Sequence, residues 1–287
     1  MRRSAFVWLF AVLPLAAALA TVPAIRAADL DPVRARASLP ARPARPQTVG
    51  IEQAALPATR DALNRRRYEF YFTRAVYSSS WGRGRGRGSW SVDYPKADLQ
   101  FLSVLGRLAR VLDSYPEDHA IPLNDPELRR FPFLYAVEVG QMGLSEPEIL
   151  ALRDYLLAGG FLIVDDFWGT YEWDNFRANI ERVLPGYPIV DLPMTHPIFH
   201  SYYEIKEVVQ VPNYGNACRG GPYSERDGIT PMVRGIFDEK GRLMVLISFN
   251  SDLGDAWEWM ELWCYPLSLS KYAYEFGVNT IVYAMSH

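Results

Sequence analysis

Two nearly continuous apolar runs of strand length, residues 131–139 (FPFLYAVEV) and 161–164 (FLIV), flank a helical pattern, and this succession constrains the chain most. A strand that is apolar on both faces has to be covered on both. Between the runs, Ser145 is placed to cap a helix over 146–158 that Gly159-Gly160 ends. Upstream, 68–77 (YEFYFTRAVY) is aromatic and β-prone, and the Ser/Gly/Arg-rich stretch 78–89 terminates it. Asp93-Tyr94-Pro95 then opens a second helix, with Leu99, Leu102, Leu105, Leu108 and Leu112 at spacings of three and four. Strand, helix, strand, helix, strand predicts an α/β class fold: an open, mainly parallel sheet with helices on both faces.

The pattern continues to the C-terminus. A helix is expected from Thr170 to Leu184, then an irregular segment through His196-Pro197-Ile198-Phe199. Residues 232–237 and 243–249 flank Asp238-Glu239-Lys240-Gly241, which supplies turn chemistry for an added β-hairpin in the C-terminal half. The tail 268–285 reads as a helix with Tyr272, Phe276 and Ile281 as core contacts.

The N-terminus has a different character. Met1-Arg2-Arg3, an apolar run over 5–20 and small residues before Asp29 have the layout of a secretory signal peptide over 1–27. The run is short for a membrane span and Pro14 interrupts it, so no stable transmembrane anchor is expected after cleavage. Residues 28–67 are rich in Pro, Ala and Arg, with 8 Arg against 4 acids, and read as a tether. Residues 68–287 carry 19 Lys and Arg against 29 Asp and Glu and form the single α/β domain. Export and an acidic domain together argue against nucleic acid as a partner and place the protein in the periplasm or outside the cell.

Short blocks along the domain resemble the bacterial family called domain of unknown function 4159. They are Phe72-Thr73-Arg74 with Tyr77, Trp90 with Asp93-Tyr94-Pro95, 131–135, Gly159-Gly160-Phe161 with Asp165-Asp166, Leu192-Pro193 with 196–199, Gly241-Arg242, Asn250 with Asp252, and Gly277-Val278-Asn279. The resemblance implies an amidotransferase-like, or flavodoxin-like, doubly wound fold in bacterial proteins whose genes often lie near envelope-associated AAA-type ATPases. It implies no established activity.

In an open parallel sheet, ligands bind outside the carboxyl ends of the strands. That rim is expected to gather the loop of Arg83, Arg85 and Arg87, the segment from Glu138 to Gln141, and Asp165, Asp166 and Trp168, with Arg74 nearby. These are the candidate ligand-binding residues. A glutaminase needs a nucleophilic Cys at a strand-to-helix elbow, and neither Cys218 nor Cys264 has that setting. Asn216-Ala217-Cys218-Arg219-Gly220 is similar to the caspase-type pentapeptide, but His196 and His200 stand too near upstream to serve it. A Cys218–Cys264 disulfide suits an oxidising compartment better, and in the chain-entropy view it would contribute about 4 kcal/mol.

Adjacent carboxylates at a strand end can shift each other's pKa or hold a cation, and side-chain alternation lets only one of Asp165 and Asp166 face the rim. With His196 they are the catalytic candidates. No metal set and no cofactor is assigned. The Gly-Arg repeat over 82–88 is suited to an anion. The aromatics Trp168, Tyr171 and Trp173, and Trp257, Trp259, Trp263 and Tyr265, are expected to fill core or interface. The resulting expectation is a non-catalytic module that binds an envelope protein or an anionic or glycan ligand. A hydrolase of an envelope glycan or peptide, using Asp165, Asp166 and His196, is the alternative.

Overall fold

A computed structural model describes residues 68–79, 90–108 and 112–287. The stretches read as a signal peptide and a tether, and the segment carrying Arg83, Arg85 and Arg87, lie outside the described residues. Strands β1 (Thr73–Val76), β2 (His119–Pro122), β3 (Phe133–Val137), β4 (Phe161–Asp165), β5 (Ile189–Asp191), β6 (Met232–Phe237) and β7 (Leu243–Phe249) form one sheet in the order β2-β1-β3-β4-β7-β6-β5. The first five in that order run parallel, and β6 and then β5 add antiparallel at the far edge.

Helices α1 (Lys96–Leu108), α2 (Glu146–Leu157), α3 (Gly169–Val183), α4 (Tyr214–Arg219), α5 (Leu253–Glu258) and α6 (Leu267–Ser286) complete the domain. Alternation along the strands divides the core in two. Phe133, Tyr135 and Val137 of β3 and Phe161 and Ile163 of β4 pack with Phe101, Trp257, Ala273 and Phe276 of α1, α5 and α6. Leu134, Ala136, Leu162 and Val164 turn the other way, toward Ile149, Leu152, Phe176 and Ile180 of α2 and α3. Among the described residues no helix is long and apolar enough to cross a membrane.

Several boundaries follow local chemistry. Ser145 caps α2, and Glu148 Oε2 accepts from the Ser145 amide at 2.8 Å. Gly159, with φ of 115°, turns the chain from α2 into β4. Other expectations are corrected. The first strand is shorter than 68–77, and Phe70 makes only an isolated bridge to Ser114. β2, β5, α4 and α5 were not anticipated; β6 pairs antiparallel with β7, which lies beside β4 as the fifth parallel strand. In α1 the buried face is Ala97, Phe101, Leu102 and Leu105. Leucines every third residue drift about 60° per step around a helix of 3.6 residues per turn, so Leu99 and Leu108 fall on opposite flanks, 39% and 38% exposed.

Candidate functional site

Four parallel strands deliver acidic residues to one cleft at their carboxyl ends. Asp93 follows β1, Glu138 follows β3, Asp166 follows β4 and Asp252 follows β7. Glu172 of α3, Asp255 of α5 and Glu225 complete a ring of seven carboxylates around a space of about 170 Å³. Among the described residues that line it, Arg226 is the one cation. Arg226 is already engaged, since its Nη2 lies 2.6 Å from Glu172 Oε1.

The backbone is strained at the same place. Five described non-glycine residues occupy the left-handed region: Asp93 (φ 61°), Glu138 (53°), Asp166 (52°), Arg226 (52°) and Asn250 (59°). The first four line the cleft, and the fifth supports it. Such conformations cost of order 1–3 kcal/mol each and persist where surrounding contacts impose them. Those contacts are visible: the Glu138 amide donates to the carbonyls of Asp165 (3.2 Å) and Asp166 (3.1 Å). Asn250 Oδ1 accepts from the Gly169 amide at 2.9 Å while its Nδ2 donates to Thr230 O at 2.7 Å. Asp227 accepts from the Thr170 amide at 3.0 Å, which pins the loop of Arg226 against α3. Gly140 leaves room for Glu172, whose Cβ stands 2.3 Å from where a residue-140 Cβ would lie.

Asp165 and Asp166 diverge. Asp165 is fully buried and its Oδ2 accepts from Tyr135 Oη (3.0 Å) and the amides of Leu253 (2.8 Å) and Gly254 (3.3 Å). Burial raises its pKa to about 7 against the pull of those donors. It is a tie between β4 and α5. Asp166 lines the cleft, 7% exposed, with the Trp168 indole donating to Oδ1 at 3.0 Å. Burial first, and then Glu138, hold its pKa well above the usual carboxylate range.

The other acids respond alike. Burial, then Glu172 and Glu225, raise Glu138 to about 7. Asp252 is 3% exposed and shifted up by burial and by Asp166, while its Oδ1 caps α5 through the Asp255 amide at 2.7 Å. Asp93 is shifted up by burial and Asp255, and its Oδ2 is enclosed without a hydrogen-bond donor. Carboxylates this crowded cannot all ionise without a counter-cation.

Of the remaining described candidates, Trp168 alone lines the cleft. Arg74 is fully buried beneath the rim, ion-paired to Asp98, with Nε 3.3 Å from Asp98 Oδ2 and Nη1 donating to Val92 O at 3.1 Å. It is committed to holding α1 against β1. Gln141 Nε2 donates to Glu138 Oε2 at 3.2 Å, and Trp168 is 2% exposed, so its ring is packed and offers no stacking platform. His196 accepts from the Ile198 amide and packs on Phe237 and Tyr283. Phe237 pairs with Leu243 at the start of β7, the end of the sheet away from the cleft, so His196 takes no part in the site. His119 sits on β2 against Phe131, its Nδ1 3.1 Å from Thr73 Oγ1. Cys218 and Cys264 form a disulfide that ties α4 to the segment before α6.

The model of a family described as a domain of unknown function, DUF4159, matches residues 72–285. The chain belongs to the DUF4159 family. No curated protein matched it. Within this DUF4159 domain, sequence reasoning placed Glu138 on the rim but missed Asp93 and Asp252 as cleft residues. Both stand in blocks that carried the resemblance, Asp93-Tyr94-Pro95 and Asn250 with Asp252. Their meeting depends on strand order, which local patterns do not encode.

Proposed function

We propose that this DUF4159 domain is an exported, envelope-associated binding module with an amidotransferase-like fold, and that its rim cleft receives a positively charged ligand. The charge balance of the cleft carries the reading: among the described residues it is lined by seven carboxylates and a single arginine, which Glu172 already holds. A cation entering there would release the repulsion that otherwise forces the acids to keep protons. An anionic ligand, expected from Arg83, Arg85 and Arg87, would meet a field of its own sign.

The order β2-β1-β3-β4-β7 of the parallel strands supports a doubly wound, flavodoxin-like arrangement, with β6 and β7 as its hairpin. The disulfide leaves no free thiol among the described residues, which supports a role without a cysteine nucleophile. The signal-like first 27 residues and the acidic domain support export. A second reading, a hydrolase of an envelope glycan or peptide, is favoured by Glu138, whose pKa of about 7 suits a general base at neutral pH.

A thermal-shift screen of the full chain against divalent cations, lysine-containing peptides, phosphate, sulfate and cell-wall fragments tests both, since a ligand of the native state raises its stability. Stabilisation by a cationic compound, lost in Asp166→Asn, is the expected result. Stabilisation by anions alone would overturn it. Cleavage of a cell-wall fragment that Glu138→Gln abolishes would establish the second reading.

A further inference from the structure

We infer that Asp93, Asp166 and Asp252 form a centre for one hard divalent cation, Mg2+, Mn2+ or Ca2+. This rests on the cleft being a cation-receiving site and specifies its occupant. One carboxylate oxygen from each of the three lies within 4.8 Å of the other two. Oxygen ligands stand about 2.3–2.6 Å from Ca2+, so opposite donors on one ion are about 5 Å apart. The three oxygens therefore have the spacing of ligands to a shared ion.

Crowded acids alone would not make a site, and a separate observation points to a ligand. Asp93 Oδ2 is enclosed and has no donor, although the same carboxyl also meets Glu258. Gly254 is the residue that lets it sit there, because a Cβ at 254 would stand 2.6 Å from that oxygen. Asp166, nine-tenths buried, spends only Oδ1 on a protein donor, Trp168 Nε1, among the described residues. Buried acceptors without donors are rare in folded proteins, and coordination supplies the missing partner.

A second trio, Asp93, Asp255 and Glu258, has similar spacing. Asp255 is spent, however: one oxygen accepts from the Tyr214 amide at 2.5 Å and the other from Trp259 Nε1 at 3.0 Å. No His or Cys lines the cleft, so the donor set is all oxygen, which suits hard cations over zinc or copper. The space of about 170 Å³ holds an ion with a few waters, each water taking roughly 30 Å³ of liquid volume.

The test is a titration of the metal-stripped full chain with Mn2+, followed by electron paramagnetic resonance, with Mg2+ and Ca2+ as competitors. One Mn2+ per chain is expected, displaced by Mg2+ or Ca2+. Affinity should fall at least about tenfold in Asp166→Asn and in Asp252→Asn, while Glu258→Gln keeps it. Metal-free melting of each variant shows that it is folded, and Asp93→Asn replaces any that is not. If Mn2+ does not bind but a lysine-containing peptide stabilises the wild type, the metal centre is wrong and the cation-receiving cleft stands. If neither binds, both fall. Loss of Mn2+ in Glu258→Gln with retention in Asp166→Asn would place the ion at the second trio and overturn the assignment.

Discussion

Asp165 and Leu253 are joined across the top of the sheet by a 2.8 Å hydrogen bond from the Leu253 amide to Asp165 Oδ2. The same oxygen accepts from Gly254 and Tyr135, so one carboxylate anchors the start of α5 to the end of β4. Its neighbour Asp166 instead adds charge to a crowded cleft. The two acids should respond in opposite directions. Asp165→Ala strands three buried donors and should cost about 3 kcal/mol, given about 1–3 kcal/mol per unsatisfied group. Asp166→Asn relieves repulsion and should raise the metal-free melting temperature by about 2–4 °C, the equivalent of about 1 kcal/mol in a domain of this size. Paired denaturation curves at pH 7.5 without divalent ions distinguish them.

Gly254→Ala should weaken Mn2+ binding more than it weakens the fold. Its methyl group would stand 2.6 Å from Asp93 Oδ2 and 3.1 Å from Tyr135 Oη. The carboxylate has to swing away, and with it one of the three ligands. An affinity loss of about tenfold or more with a melting temperature within a few degrees of wild type is expected; unchanged affinity would show that Asp93 is not a ligand.

His119 makes the fold acid-sensitive. Burial lowers its pKa to about 4 from an ordinary value of 6.5, although Asp118 and Asp125 pull the other way. Thr73, Tyr71 and Phe131 face the ring and offer no compensating charge. The folded-state value is below the unfolded one, so the stability tied to the neutral ring is complete above pH 6.5 and is lost as pH falls toward 4. Two and a half pH units correspond to about 3 kcal/mol at 1.36 kcal/mol per unit. Urea titrations at pH 7.5 and 4.5 should show a smaller acid loss in His119→Gln than in wild type.

The Arg74–Asp98 pair offers a double-mutant cycle. Both side chains are fully buried, and no water can take over when one is removed. Asp98→Asn should cost about 3–5 kcal/mol by leaving Arg74 uncompensated, whereas Arg74→Met with Asp98→Leu should recover a large part of the loss. Additive costs in the denaturation midpoints would show that the two do not act as a pair.

The sheet was largely legible, because strands buried on both faces leave long apolar runs: β3, β4 and β7 all read directly from their side chains. β2 did not. His119-Ala120-Ile121-Pro122 is a four-residue edge strand ending in proline, with no alternation to mark it. In the site, alternation along β4 gave the reason why Asp165 and Asp166 differ, yet Asp93 and Asp252 passed unnoticed. Each lies in a connecting segment with no ligand-binding signature of its own, and their oxygens come together only because β1, β3, β4 and β7 are neighbours through the middle of the sheet. Arg74 misled for a related reason: an arginine near a rim looks available until the helix that brings Asp98 over it is in place.

The cleft takes its acids in the chain order Asp93, Glu138, Asp166, Asp252, and the last of these follows the final strand of the sheet. During synthesis, a nascent chain halted before β7 would hold three of the four in unfinished loops, with the strand that seats the fourth still inside the ribosome. Whatever fills the cleft meets a finished sheet, so it is drawn from whatever the compartment where folding ends supplies.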